Sequence, residues 1–334
     1  MQGKAAPKPE LVEYDFTLGF AGDINFDDSW CNMAYFHRMG DDLEAVIDPA
    51  YLRLMRDVDL MWINNEFTYS DRGTPLAGKA YTFRADPENV RLLKEMGVDI
   101  VGLANNHVYD YGKEALLDTL DTLKEAGIPC GGAGRNLEEA SAPVYLEADG
   151  QIVAFVHASR AEKIKMTPQA TDTEPGILRC YDDTLFLEKI REARQKADVV
   201  IALVHWGTEY STTLEEAQIR TGHACIDAGA DAVIGAHSHC LQGMEYYRGK
   251  PIVYSLGNYW FNEKTLDTMM VSLRFYGYNH SRYQRLQIYP GVQKDFVTTL
   301  AKEEEEQRRI YDHLEEISGH IYINSKGIVY PGSH

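Results

Sequence analysis

Short apolar runs and amphipathic stretches alternate along most of this chain. Phe16, Leu18 and Phe20 alternate with Thr17 and Gly19, and the run closes at Gly22-Asp23. That period predicts a half-buried strand with an acid at its end. Asp48-Pro49 pairs a capping residue with proline at the first helical position and predicts a short helix. Val58–Ile63 reads as an apolar strand ending in Asn64-Asn65-Glu66, Asp86-Pro87 opens a helix to Glu95, and Asp99–Leu103 is a third strand ending in Asn105-Asn106-His107. Lys113–Ala126 puts Leu116, Leu117, Leu120 and Leu123 on one face and stops at Gly127. The alternation continues with a strand at Ile152–Val156, a helix at Thr184–Lys196, a strand at Asp198–Val204 ending in His205-Trp206-Gly207, and a helix at Leu214–Ala228. The apolar run Ala232–Ile234 then leads through Gly235 to His237 and His239. Val144–Glu147, Glu245–Tyr247 and Ile252–Ser255 read as hairpin or edge strands, and Gly131–Gly134 as a turn before a helix at Asn136.

Alternating strands and helices predict a layered α/β fold with much parallel sheet. From Thr265 the texture changes: Met269–Tyr276 and Tyr283–Tyr289 are β-rich, and Thr298–Ile317 reads as a charged helix whose Glu303–Glu306 run is a solvated face. Composition changes this picture little. The chain has 334 residues, 44% of them hydrophobic and 25% charged, which is ordinary for a globular protein. The net charge of −18 argues against binding nucleic acid or anionic membrane through clustered Lys and Arg, but leaves an anionic substrate open if a metal supplies the local field. Cys31, Cys130, Cys180, Cys225 and Cys240 are scattered and unpaired in spacing, so neither a disulfide framework nor a zinc finger follows. Cys240 is placed to face away from its neighbour His239. Met1–Glu13 lacks the hydrophobic core of a signal peptide and reads as a linker, as in a mature or trimmed form.

The chemistry sits at strand ends. Asp23 with Asn25, Glu66, Asn106 with His107, His205, and His237 with His239 each follow a separate predicted strand. In a parallel sheet such ends converge on one edge. His237 and His239, two residues apart in extended chain, would point the same way. Each residue alone has a plain structural explanation, as a turn former, a surface acid or a satisfied core histidine. Their recurrence at one structural level predicts a metal site with Asp23, Asn25, Glu66, Asn106, His205, His237 and His239 as ligands. The mixed nitrogen and oxygen set suits divalent Mn, Fe or Zn. It exceeds the needs of one four-coordinate ion, so two ions sharing a carboxylate are expected, with Glu66 as the bridge. His107 is the candidate general acid, and Asp23 and Glu66 complete the catalytic set. Glu209 is a candidate orienting residue, Lys79, Tyr81 and Arg84 are candidates for contacting a carboxylate or phosphate, and Asn258 is a turn or site residue.

Gly22-Asp23, Asn64-Asn65-Glu66, Ala104-Asn105-Asn106-His107, His205-Trp206-Gly207-Thr208-Glu209-Tyr210, Gly235–His239 and Tyr254-Ser255-Leu256-Gly257-Asn258, in that order, resemble the CapA family of bacterial capsule or poly-γ-glutamate synthesis proteins, also called PgsA-like. That family in turn resembles the calcineurin-like metallophosphoesterases. The resemblance implies a four-layer α/β/β/α sandwich with a two-metal site. It implies a CapA-like domain over residues 14–264, completed by strands and a helix in 265–334. Asp23, Glu66 and His239 would hold one ion, and Glu66, Asn106, His205 and His237 the other. The Asp-x-His of the phosphoesterases is here Asp23-Ile24-Asn25, which lacks one imidazole. The implied role is a metal-dependent hydrolase or accessory protein of capsule or poly-γ-glutamate synthesis. The implied place is extracellular, in the cell envelope, anchored through an N-terminal segment absent from this chain. Expected partners are poly-γ-glutamate or another anionic envelope polymer and membrane-bound capsule synthesis proteins, with no nucleic acid. Two alternatives stand beside it: a non-catalytic polymer-binding component of assembly or export, and a general metallophosphodiesterase.

Overall fold

The structure is a computed structural model and describes residues 12–162, 166–278 and 280–332. In chain order its main strands are β1 (Val12–Ile24), β2 (Leu60–Asn65), β3 (Ile100–Gly102), β4 (Cys130–Gly131), β5 (Val144–Ala148), β6 (Gln151–Ser159) and β7 (Val199–His205). They continue with β8 (Ala232–Ala236), β9 (Met244–Tyr247), β10 (Lys250–Val253), β11 (Asn258–Trp260), β12 (Leu266–Tyr278), β13 (Ser281–Lys294) and β14 (Val297–Leu300). The helices are α1 (Cys31–Arg38), α2 (Pro49–Asp57), α3 (Val90–Met96), α4 (Gly112–Ala126), α5 (Leu137–Ser141), α6 (Thr184–Arg194), α7 (Glu216–Ala228) and α8 (Glu304–Glu316).

Two large sheets carry the fold. The first runs β14-β13-β12-β1-β2-β3-β4, with β11 also paired to β1, and the second runs β9-β10-β8-β7-β6-β5. Strands β1 to β4 are parallel, as are β6, β7, β8 and β10. Alternation along each strand divides the apolar residues among three cores. Leu18, Phe20 and Trp62 face Phe155, Ile201, Leu203 and Ile234 between the sheets. Their neighbours in sequence Ala21, Met61 and Ile63 pack outward on Leu52, Met55, Leu93 and Leu116 of α2, α3 and α4. On the other side Ala154, Val156, Val200 and Ala202 pack on Phe186 and Ile190 of α6 and Cys225 and Ile226 of α7. The result is the expected stack of helices, sheet, sheet and helices. A fully buried side chain of this kind contributes roughly 1.5–3 kcal/mol, so the sheets' relative position is strongly determined.

Two local expectations are corrected. Thr298 does not begin a helix: Val297–Leu300 is a strand on β13, and the helix starts only at Glu304. The β-branched Val297, Thr298 and Thr299 favour the strand, while Glu304, Glu305 and Glu306 sit where the helix dipole favours acids. By contrast, the hairpin expected from Glu245–Tyr247 and Ile252–Ser255 is present as β9 and β10, paired antiparallel about Arg248-Gly249 with β9 at the sheet edge. Gly131–Gly134 is not simply a turn, because Cys130–Gly131 and Ala133–Gly134 both form ladders. The β12–β13 hairpin pairs along most of β1, joining the C-terminal strands to the first sheet. The first eleven residues, part of the expected linker, lie outside the described residues.

Candidate metal centre

The candidate ligands come from the carboxyl ends of both sheets, not from one sheet edge. Asp23 lies in β1, Glu66 follows β2 and Asn106 follows β3 in the first sheet. His205 ends β7, and His237 and His239 follow β8 in the second. Glycine lets the backbones approach. A Cβ at Gly22 would lie 1.8 Å from the Gly257 carbonyl oxygen, and one at Gly235 would lie 2.0 Å from that of Tyr254. This close approach lets the Asp23 N–H donate to the Gly257 carbonyl at 3.0 Å.

The two histidines of the His-x-His are not presented by extended chain, as the spacing suggested. β8 ends at Ala236, and His237 and His239 have φ of 98° and 53°, in the left-handed region. Such conformations cost on the order of 1–3 kcal/mol each and persist where surrounding contacts enforce them. Here the Trp206 N–H bonds to the Ala236 carbonyl at 3.0 Å, the Tyr210 N–H to the Ser238 carbonyl at 2.6 Å, and the His237 N–H to Asp23 Oδ2 at 3.3 Å. The two rings end up with centroids 6.0 Å apart.

Two overlapping ligand groups result. One nitrogen or oxygen each from Glu66, His205 and His237 fall within 4.8 Å of one another, as do those from Asp23, Glu66 and His239. Glu66 belongs to both. His205 Nε2 lies 3.3 Å and His239 Nε2 3.9 Å from Glu66 Oε1, and His239 Nδ1 lies 3.5 Å from Asp23 Oδ2. Asn106 Oδ1 reaches His205 Nε2 at 2.7 Å, which puts the amide oxygen beside the first group. All these side chains are buried, yet Glu66 Oε1 and His237 Nδ1 have no hydrogen-bond partner. A buried polar atom without a partner is costly, and a cation shared by both groups would satisfy them.

The electrostatics favour the same occupant. Burial raises the carboxyl pKa of Asp23, and it raises that of Glu66 much further, aided by the neighbouring Asp23 charge. Burial pushes His205 and His237 well below the usual imidazole range, helped by the nearby imidazoles, and lowers His239 against the pull of Asp23. Neutral imidazoles are the form that binds metal, and a divalent ion would reverse the penalty on the carboxylates. The nitrogen and oxygen donors, with no thiolate among them, fit the Mn, Fe or Zn class.

Amides hold the ligands in place. Asn64 Nδ2 donates to Asp23 Oδ1 at 2.7 Å. Asn258, opposite Asp23 in the β1–β11 register, places its Oδ1 2.8 Å from His239 Nδ1. With Asn258 Oδ1 accepting, the proton sits on Nδ1 and the Nε2 lone pair is left available to a metal. Asn25 is different: its Oδ1 accepts the Asp27 N–H at 2.8 Å, so its oxygen serves its own turn.

His107 lies at the edge of both groups, with Nε2 4.0 Å from Glu66 Oε1 and its ring 4.5 Å from that of Phe83. Its Nδ1 meets Asp110 Oδ2 at 2.7 Å. Asp110 was missed by sequence reasoning, although its position three residues after a candidate acid was the available signal. Lys79 proves to be nearly buried, its side chain 7% exposed, with Nζ 2.7 Å from Asp110 Oδ1 and 3.2 Å from Glu162 Oε1. It also donates to the Asn106 carbonyl, which Thr167 Oγ1 reaches at 2.7 Å. Lys79 therefore ties the Asn106 loop to Asp110, the partner of His107, and to a loop of the second sheet. The other candidates lie outside this group. Tyr81 is exposed and edges onto Trp30, Arg84 stacks 4.3 Å over Tyr111, and Glu209 is exposed, acting on Glu66 only through its charge. Near His239, Tyr210 and Lys264 form an unforeseen rim, with the Lys264 ammonium 3.6 Å above the Tyr210 ring.

Comparison with known proteins follows this geometry. The family model described as bacterial capsule synthesis protein PGA_cap matches residues 17–263. The chain is 30% identical over 277 residues to the PGA biosynthesis protein CapA of Bacillus subtilis, covering 80% of this chain and 70% of that one. It is 35% identical over 250 residues to the capsule biosynthesis protein CapA of Bacillus anthracis, covering 71% of this chain and 58% of that one. Among solved structures it is similar to a phosphatase from Mycoplasma pneumoniae, with a TM-score of 0.49 and 12% identity over 84% of this chain and 95% of that one. A putative 5'-nucleotidase from Staphylococcus aureus gives a TM-score of 0.46 and 15% identity over 90% of this chain and 58% of that one. The family match spans most of the chain and every strand end that carries a candidate ligand, so this protein belongs to the bacterial capsule synthesis protein family.

Proposed function

We propose that this protein is a metal-dependent hydrolase acting on an anionic cell-envelope polymer of the poly-γ-glutamate kind, or on its phosphorylated precursors, at the outer face of the membrane. The observation that carries the reading is Glu66, which belongs to two overlapping ligand groups and has a buried oxygen without a partner. Asp23, Glu66 and His239 would hold one ion, and Glu66, Asn106, His205 and His237 the other. Ions bound there would polarise a phosphoryl or γ-amide carbonyl group and ease deprotonation of water. The chain's own residues supply the rest. Asn258 and Asn64 hold His239 and Asp23 in orientation. His107, braced by Asp110, is placed to give a proton through Nε2 to the departing group. Burial of the whole set keeps bulk water out.

A second reading, a non-catalytic component that grips polymer during assembly or export, is favoured by Asn25. Its oxygen is engaged by the Asp27 N–H, which would leave one ion with fewer protein ligands. Elemental analysis of purified protein beside His237→Ala decides between them, together with turnover of a generic phosphodiester and of γ-linked oligoglutamate. The enzyme reading expects close to two ions per chain, a reduced content in the variant, and turnover abolished in His205→Ala and His239→Ala. Turnover retained in both variants would sink it, and polymer binding without turnover would favour the second reading. Among the described residues no helix is long and apolar enough to cross a membrane, so the envelope location rests on family membership and is tested by fractionation.

A further inference from the structure

Two side chains meet beside His239 that the centre itself does not use. The His239 ring lies between two others, with the Phe261 centroid at 4.8 Å and that of Tyr210 at 5.7 Å. His239 and Phe261 are buried, whereas Tyr210 is 44% exposed. The Lys264 ammonium sits 3.6 Å from the Tyr210 centroid, and Lys264 is exposed as well. The head of this lysine is therefore one aromatic ring away from a candidate ligand, on the side open to solvent.

Backbone contacts fix both residues. Tyr210 has a φ of 55°, and its N–H reaches the Ser238 carbonyl at 2.6 Å. That conformation favours glycine and is uncommon for a bulky residue. The hydrogen bond needs only an N–H, and burial does not account for a ring that is nearly half exposed. The tyrosine side chain is thus held beside His239 at a cost in backbone strain, and strain of this kind clusters at functional positions. Lys264, between β11 and β12, donates its N–H to Asn262 Oδ1 at 3.1 Å, and its carbonyl accepts from Gln293 Nε2 at 3.1 Å. Gln293 is buried and also accepts the Phe261 N–H at 2.9 Å. One buried amide therefore anchors both the ring packed on His239 and the base of the lysine.

The two lysines near the centre do different things. Lys79 is nearly buried between Asp110 and Glu162. Lys264 rests on a ring face, which attracts a cation and leaves the N–H donors on its other side free. Burial is the main cause of the lowered His239 pKa, and the Lys264 charge adds to it. Charge on the rim is divided, with Glu209 acting on Glu66 and Lys264 acting on His239.

We propose that Lys264, seated on the Tyr210 ring, is an anion subsite at the mouth of the centre, which takes a carboxylate or phosphate of the ligand other than the group that reacts. This rests on the reading of the centre as one that handles an anionic ligand. It adds to that reading a means of choosing ligands that carry a second charge.

Calorimetric titration of the metal-loaded full chain tests it, with γ-linked triglutamate, its fully amidated form and inorganic phosphate as probes. Wild type is compared with Lys264→Gln, Lys264→Glu, Tyr210→Phe and Tyr210→Gly, with metal content and turnover of triglutamate followed in parallel. At low salt Lys264→Gln should weaken binding of the anionic probe roughly three- to fivefold and Lys264→Glu about tenfold, at unchanged metal content. Both differences should shrink as salt is added, and neither should appear with the amidated peptide. Tyr210→Phe keeps the ring and should stay within about twofold. Tyr210→Gly should match Lys264→Gln without a lower Tm, because the backbone there suits glycine. A loss for triglutamate alone assigns the subsite to carboxylate, and a loss for phosphate alone assigns it to phosphate. Wild-type affinity for both anions in the two Lys264 variants overturns the proposal, as does a wild type that binds neither. Wild-type affinity in Tyr210→Gly overturns it too, because diffuse charge would then suffice, and a loss matched by loss of metal would make the pair a brace for His239 instead. Lys264-dependent binding without turnover would reject the hydrolase reading and leave the subsite standing, whereas turnover that is indifferent to Lys264→Glu, with unchanged binding, would reject the subsite alone.

Discussion

The first sheet supplies oxygen and the second supplies nitrogen. Asp23, Glu66 and Asn106 come from β1, β2 and β3, while His205, His237 and His239 come from β7 and β8. The two halves are also built differently. On the oxygen side neighbouring amides brace the backbone and ligands: Asn64 bonds to Asp23, and Asn105 bonds to the Asn65 carbonyl and to the N–H groups of His107 and Val108. On the nitrogen side two of the three imidazoles are thrown forward by left-handed residues beyond the end of β8. Neither half is a site alone. Burial raises the carboxyl pKa values on one side and lowers the imidazole pKa values on the other, so only their juxtaposition makes a candidate cation site. The difference teaches that the packing of two sheets, more than any local motif, brings the candidate ligands together.

That comparison can be broken most severely at Glu66. Glu66→Ala should remove both ions from the protein, whereas His237→Ala and Asp23→Asn should each mainly weaken one, as read by elemental analysis. Equal losses in all three variants would mean that Glu66 is not shared. Next in size is the stability that the metal lends to the joint between the halves. Adding Mn or Zn at a hundred times the dissociation constant should stabilise the stripped protein by about 2.7 kcal/mol, visible as a rise in Tm that Glu66→Ala does not show.

Lys79→Met should lower kcat by roughly ten- to a hundredfold at unchanged metal content, because it loosens Asp110 behind the acid without touching a ligand. A drop matched by loss of metal would instead make Lys79 a brace of the ligand loop. His157 provides the imidazole of the second sheet that is not a ligand. It is buried in the core between the sheets, accepts the Trp62 indole N–H at 3.1 Å, and burial lowers its pKa to about 3. The folded state therefore resists a proton that the unfolded chain takes up below about pH 6.5. Its contribution to stability is complete above that pH and falls by about 1.4 kcal/mol per unit as pH drops toward 3. His157→Gln keeps an acceptor for Trp62, and denaturant melts between pH 7 and 5 should show a shallower acid limb. The smallest effect is expected at Asn258→Ala, about tenfold in metal affinity, from freeing the His239 ring.

Much of this was legible in the sequence because strand ends announce themselves. Asp23, Glu66, Asn106, His205 and His239 each follow an apolar run, and that recurrence named as candidates the residues that the fold brings together. What could not be read is anything that depends on how the two sheets face each other. Periodicity places a residue on a strand but does not say which sheet the strand joins, so convergence was expected on one edge. Lys79 lies among Gly, Tyr and Arg in a stretch that reads as solvated, and only the fold reveals that Asp110 and Glu162 bury it. Asn25 was counted as a ligand because its residue type fits, while its turn engages the oxygen elsewhere. Thr298 was lost to a helix because the acidic run beyond it dominates any window that contains both.

One feature of the first sheet bears on how such a chain is made. β1 is read out early, yet its neighbours on one side are β11 and β12, encoded some 240 residues later, and Asp23 stands opposite Asn258. Loop closure over that span comes late and slowly. As the chain emerges during synthesis, the oxygen ligands are exposed long before the strand that carries Asn258 exists. The nascent protein therefore passes through a stage with acids in place and no finished cage, in which free ions find only loose carboxylates. Any metal site here would be complete only once β11 is made, and a chain cut off before β12 should be left open at the edge of its first sheet.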